Sequence, residues 1–220
     1  MGADLPSPVF LVVKMIKLKE IENIYAERES QPVGKHRFFS VLVPFVEKDG
    51  ELNLLFEVRS QKLGSDPGEI CFPGGHMEPG ETIAEAAVRE TVEETGIPES
   101  EIRVIGKGDT LYGYANYTLY TTMAVISYEA YEKAVIEKAE VDELFLMPLQ
   151  EFIDHKPEVY EQKISLTICD DFPFEKLGIT KDYYWRQGPW AVPVYEVRGR
   201  QVWGLTGRIV MQLVQELENR

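Results

Sequence analysis

From Arg37 onward, apolar and polar positions fall into short blocks that read as β-structure separated by turns. The run FFSVLVPFVEK predicts a strand over 37–46, and the Asp49-Gly50 turn hands the chain to LNLLFEVRS, a second strand over 52–58. EIRVIGK and NYTLYTTMAVISYE, rich in Val, Ile, Thr and Tyr, predict strands over 101–107 and 117–127. A last block, AVPVYEVRGRQVWGL, predicts β-structure over 192–204 folded as a hairpin through Arg198-Gly199-Arg200. Two stretches carry the helical period instead. TIAEAAVRETVEET predicts a helix over 82–95, capped by Thr82 or Glu81 and closed by Gly96, with Ala84, Ala87, Val88 and Thr91 or Val92 turned inward. TGRIVMQLVQELEN predicts a helix over 206–218 with Ile209, Leu213 and Leu217 on one side.

The flanking segments are less regular. Residues 1–35 read as an arm that packs on the main domain or on a second subunit, which leaves room for a homodimer. Its apolar run PVFLVVKMI is followed by KLKEIENIYAERES, a short helix with Ile16, Ile21 and Ile24 as a partial stripe, and Pro32 and Gly34 end it. Residues 36–220 form the domain proper. Within it, 154–190 is the least patterned part: a short strand is expected near KISLTIC, and Phe172, Phe174, Tyr183, Tyr184 and Trp185 are expected to fill a satellite core rather than to line a pocket.

Chemistry concentrates on the helix over 82–95. Residues three and four apart share a helix face, so Glu90, Glu93 and Glu94 can present carboxylates to one volume of space, with Arg89 beside them. A solvated acidic face and a metal site both satisfy this spacing. An oxygen-only ligand set without imidazole or thiolate would suit Mg²⁺ or Mn²⁺. In either case the acidic edge is poor packing material and is expected to face solvent, metal, or both.

Gly75, five residues, Glu81, seven residues, Arg89-Glu90, then Glu93-Glu94 and Gly96-Ile97 together resemble the Nudix box, with Thr91 where an aliphatic residue is more usual. The box marks enzymes that hydrolyse a nucleoside diphosphate linked to another moiety. The resemblance implies an α/β fold, an α/β/α sandwich around a mixed β-sheet. It further implies Mg²⁺ or Mn²⁺ held by Glu90, Glu93, Glu94 and the Gly75 carbonyl, with a general base among Glu93, Glu94 and Glu140, and Arg89 paired to a helix carboxylate. Upstream, Arg59-Ser60, Pro67-Gly68-Glu69 and Phe72-Pro73-Gly74-Gly75 are similar to the branch that hydrolyses coenzyme A and its derivatives, and the likeness extends over about 36–215. Arg59, Ser60, Lys62, His36 and Arg37 are the candidate substrate contacts, and Tyr112-Gly113-Tyr114 is a candidate aromatic wall.

Gly64-Ser65-Asp66 stands where that branch usually has a basic residue and a His, and Glu69 stands where it has Gln. ADP-ribose or another nucleoside diphosphate conjugate is therefore carried as an alternative substrate. A non-catalytic nucleotide-binding module would be marked by loss of a box acid, and none is lost.

Charge narrows the partners. With 37 acidic against 23 basic residues and a formal charge of −14, general binding to nucleic acid or to anionic membranes is disfavoured, and a small nucleotide conjugate fits better. Cys71 and Cys169 lack metal-binding spacing and read as free, partly buried thiols. The apolar run near the start lacks a basic leader and is too short to span a bilayer, so a cytoplasmic setting is expected. The chain carries neither a nucleophile elbow nor a Walker A loop.

Overall fold

The computed structural model describes residues 16–219. It separates into two compact units, 1–35 and 36–220. In the first, α1 (Leu18–Tyr25) buries none of its side chains; most of the PVFLVVKMI run lies outside the described residues.

The second unit is built on an eight-stranded mixed sheet. The chain runs through β1 (Arg37–Lys48), β2 (Glu51–Arg59), β3 (Ile70–Cys71), β4 (Gly74–His76) and α2 (Ile83–Thr95), then β5 (Ile102–Lys107), β6 (Leu111–Gly113), β7 (Tyr117–Ile126) and α3 (Tyr128–Glu132). It continues through β8 (Val141–Pro148), α4 (Leu149–Asp154), β9 (Glu158–Ile164), α5 (Phe174–Leu177), β10 (Gly188–Val197), β11 (Arg200–Trp203) and α6 (Gly204–Glu218). Strands β9, β10 and β11 form a separate antiparallel sheet.

Side-chain alternation along β1 builds two cores. Leu42 and Val46 point to one face and pack with Leu55, Ala87 of α2, Ala124 and Ile126. Val43 points to the other, where Phe56, Phe145, Phe152 of α4, Tyr195 and Val210 and Val214 of α6 meet. The result is a mixed sheet flanked by helices on both faces, the expected α/β/α sandwich.

One feature of this sheet positions the site. β1 and β2 pair only where Phe45 to Lys48 face Leu54 to Glu51, and beyond that they diverge. The opening is filled by residues 70–76. β3 pairs with the end of β2 through Cys71 and Ile70, β4 pairs with β1 through Ser40 and Gly75, and the Leu42 N–H donates to the Pro73 carbonyl at 2.9 Å. Gly74, at φ +147°, lies so close to β1 that a Cβ would stand 2.4 Å from the Ser40 carbonyl oxygen.

Several expectations need correction. The stretch over 141–148, for which no strand is expected, is strand β8, which lies along β2 from Asn53 to Arg59. The strand expected near KISLTIC lies earlier, at β9. The five aromatic residues between 172 and 185 make ring contacts such as Phe172 to Trp185 at 5.6 Å, but none is buried, so they form a surface cluster and not a core. Cys169 is exposed, while Cys71 is partly buried. On α6 the buried seam is Thr206, Gly207, Val210 and Val214; Ile209 and Leu213 are half-buried and Leu217 is exposed, because the helix tilts its small residues onto β10. Among the described residues no helix is long and apolar enough to cross a membrane.

Candidate active site

α2 is well terminated at both ends. The Thr82 hydroxyl accepts from the Glu85 N–H at 3.3 Å while the Glu85 carboxylate accepts from the Thr82 N–H at 2.8 Å, and Gly96 closes the helix at φ +67°. Thr82 is thus the cap. Glu81 instead takes two hydrogen bonds from the Arg89 guanidinium, at 2.6 and 3.1 Å. Thr91 is fully buried, and its hydroxyl is satisfied by donating to the Ala87 carbonyl at 2.7 Å.

Two of the three acids on this edge turn away from solvent. Glu94 is 4% exposed and Glu90 is half-buried, because the β3–β4 run brings glycine backbone up against the helix. A Cβ on Gly75 would stand 2.5 Å from the Glu90 carboxylate, so the Glu90 head group occupies the space that only a glycine leaves open. The Gly74 N–H donates to Glu94 Oε2 at 2.8 Å. Burying these acids required small inward residues elsewhere: Ala86, Ala87 and Thr91 are buried, while Val88 and Val92, expected inward, are only partly so.

Arg89 holds the group together from the outside. Its guanidinium donates to Glu90 Oε1 at 2.9 Å, to Glu93 Oε2 at 3.2 Å and to the His76 carbonyl at 3.1 Å, as well as to Glu81. Glu93 remains on the surface with its side chain 56% exposed. Glu90 and Glu94 therefore converge on Gly74-Gly75, and Glu93 is tethered beside them.

A further acid belongs to this crevice. Glu57, on β2, is 1% exposed; one carboxylate oxygen accepts from the Cys71 thiol at 3.2 Å and the other, Oε2, has no partner. It was hidden in the run LNLLFEV, where its only signal was a carboxylate at a strand position that alternation turns inward. Burial pushes the Glu57 carboxyl up to about 7, and the nearby charges of Glu140 and Glu90 add to the effect. Burial and the Glu57 charge push Glu94 up to about 9, with Glu90 and Glu140 contributing and the Gly74 N–H opposing. Glu90 is raised by its burial against the pull of Arg89. Glu140 reaches the group because the Ser60 N–H donates to its carbonyl at 2.8 Å where β2 leaves the sheet.

Carboxylates held this close repel one another unless protons or cations intervene. The unpartnered Glu57 oxygen and the all-oxygen donor set fit a hard divalent cation. Among the described residues no three His, Cys, Asp or Glu side chains form a ready-made cage, since Glu94 is engaged by Gly74 and Glu90 by Arg89.

Of the candidate substrate contacts, Arg59 and Ser60 border the crevice. Burial raises Glu57, Cys71 and Glu69 and the Arg59 charge opposes the rise, its Nε is buried without a partner, and the Ser60 hydroxyl accepts from the Lys62 N–H at 3.3 Å. Lys62 is exposed. His36 and Arg37 lie at the start of β1, with the His36 ring hydrogen-bonded to Thr118 at 2.9 Å and Arg37 over the Phe39 ring at 5.7 Å. They are not brought to the carboxylates.

Residues 36–167 match the NUDIX domain model. The chain belongs to the Nudix family. It is 30% identical over 204 residues to Nudix hydrolase 3 of Caenorhabditis elegans, covering 89% of this chain and 80% of that one. It is 40% identical to the peroxisomal coenzyme A diphosphatase of Mus musculus, over 57% of this chain and 52% of that protein. It is 28% identical to the mitochondrial coenzyme A diphosphatase of Homo sapiens, over 81% of this chain and 68% of that one. As a Nudix member it has pyrophosphohydrolase chemistry directed at nucleotide-like substrates, with the divalent-metal dependence that the fold generally implies.

Proposed function

We propose that this Nudix hydrolase cleaves the pyrophosphate bond of coenzyme A or acyl-coenzyme A, giving 4′-phosphopantetheine or its acyl form and adenosine 3′,5′-bisphosphate. The observation that carries the chemistry is the convergence of Glu90, Glu94 and buried Glu57 on the Gly74-Gly75 backbone. The choice of substrate is supported by likeness to the mouse and human proteins named as coenzyme A diphosphatases and by the run from Arg59 to Gly75.

In this reading Glu90, Glu94, Glu93 and the Gly75 carbonyl hold Mg²⁺ or Mn²⁺. The ion supplies charge neutralisation of the pyrophosphate and activation of the attacking water. The chain's own groups do the rest. Arg89 fixes the direction of the Glu90 carboxylate through Glu81 and the His76 carbonyl, and the Gly74 N–H fixes Glu94. Glu93, Glu94 and Glu140, the last at the β2–β8 junction, are the candidate bases that would take a proton from the attacking water. Arg59 draws the substrate's phosphate charge to the mouth of the crevice.

Incubating the chain with Mg²⁺ or Mn²⁺ and a panel of conjugates, and weighing the products, tests the assignment. Cleavage of coenzyme A into the two named products with ADP-ribose left intact is expected. Preferential cleavage of ADP-ribose would replace the substrate assignment and keep the chemistry.

A further inference from the structure

The opposite face of the sheet carries a second feature that the carboxylate crevice does not use. A cavity of about 860 Å³ opens between α6 and the strands β5, β6 and β7. Its walls include Met123, Leu111 and Leu213, with Lys107 and Arg208 as its cations, Asp109 and Glu216 as its acids and Tyr112 at its rim, exposed. Arg208 is the unusual member. Its guanidinium lies over the Trp190 ring at 4.1 Å, its Nη1 is shielded from solvent, and that nitrogen has no hydrogen-bond partner. Trp190 is in turn braced edge-on by Tyr114 at 5.1 Å.

A guanidinium held over an aromatic ring with a buried donor unmet gains from an anion that can pair with it. The start of α6 adds to this. It has no side-chain cap and no acidic residue in its first turn, so nothing cancels the positive end of the helix one turn before Arg208.

A chain of ring contacts runs from the neighbourhood of Arg208 toward the crevice. The charges of Arg208 and Arg37 both act on Tyr117, which packs edge-on against Phe39 at 6.1 Å; Phe39 meets the His76 ring at 5.4 Å, and His76 follows Gly75. Tyr117 pairs with Arg37 and Gly75 with Ser40 on the same strand. Strand geometry then puts the Tyr117 and Gly75 backbones about 14 Å apart.

We propose that Arg208, backed by Trp190, anchors a second anionic group of the substrate, a phosphomonoester remote from the bond that is broken, and that the cavity holds the nucleoside carrying it. This rests on the coenzyme A reading, whose nucleotide half bears such a group. ADP-ribose does not.

Isothermal titration of the full chain with adenosine 3′,5′-bisphosphate and with adenosine 5′-monophosphate tests it. The native chain should bind the bisphosphate at least about tenfold more tightly, and Arg208→Gln should bring that ratio close to one. Arg208→Met, which keeps the aliphatic stem in its packing, gives the same readout if the Gln variant does not fold. Equal affinities in the native chain, or a ratio unchanged in the folded variants, would overturn the proposal. Hydrolysis of coenzyme A by the native chain is read separately. An Arg208-dependent ratio in a chain that leaves coenzyme A intact discards the substrate assignment and keeps the anion site, whereas hydrolysis with a native ratio of one does the reverse.

Discussion

The two faces of the sheet are organised by opposite electrostatics. On the α2 face, acids are forced together: Glu57 and Glu94 are almost fully buried, and Glu90 fills the side-chain space of a glycine. On the α6 face, a cation is left unmet, with Arg208 stacked on Trp190 and one nitrogen without a partner. Each is unfavourable alone, and each becomes favourable when a ligand of opposite charge arrives. A chain with a net charge of −14 thus concentrates its affinity for a phosphate-bearing substrate in a few groups.

The contrast is broken most severely by removing a buried acid. Glu94→Gln keeps the hydrogen bond from the Gly74 N–H and loses the charge, so with saturating Mg²⁺ the kcat on coenzyme A should fall by about 100-fold or more with a modest change in KM. Steady-state kinetics reads the split, and near-normal turnover removes Glu94 from the chemistry.

Gly75→Ala tests the geometry without touching a charge. Its added methyl would meet the Glu90 carboxylate at 2.5 Å, so that head group, the far end of a flexible side chain, would have to move away from Gly75. A loss of about tenfold or more in kcat is expected, with thermal unfolding showing that the domain remains folded. On the other face, Arg208→Met should raise KM for coenzyme A while leaving kcat within about twofold, because removing a contact made equally in ground and transition states moves KM alone.

The smallest effect is on stability. Glu57 and Glu94 titrate near 7 and 9 in the folded metal-free chain, above the ordinary 4.5. The unfolded chain therefore releases its protons first as pH rises, and the folded state loses relative stability from about pH 4.5 through 9. A tenfold change in proton affinity corresponds to about 1.4 kcal/mol, and a domain this size moves by about 2–4 °C per kcal/mol. With chelator present, Tm should fall between pH 6 and 9, and added Mg²⁺ should restore more at pH 9 than at pH 6. A flat profile would mean that the acids do not repel one another as their burial requires.

The helix with its cap, its Gly96 stop and strands β1, β2, β5 and β7 of the main sheet were legible in the sequence because local signals and period agreed with the tertiary environment. β8 was not, because only the short run Leu144 to Met147 between Asp142-Glu143 and Pro148 is apolar. Within the site, Arg89, Glu90 and Glu94 were legible from their spacing. Glu57 was not, because a buried carboxylate on a strand looks like any polar alternation until the fold closes over it. The inward turn of the acidic edge was hidden for a related reason: it depends on a glycine pair on β4, supplied by the divergence of two strands. The pairing of Arg208 with Trp190 joins residues far apart in the chain and has no local sign at all.

The central claim is that the crevice of Glu57, Glu90 and Glu94 is built for a divalent cation. Titrating Mn²⁺ calorimetrically at pH 7, in buffers of different ionisation enthalpy, measures binding and proton release together. Binding should expel protons from acids whose pKa burial has raised, and Glu94→Gln should weaken the affinity and reduce the release. Mn²⁺ affinity unchanged in Glu94→Gln, or binding without proton release by the native chain, would contradict it.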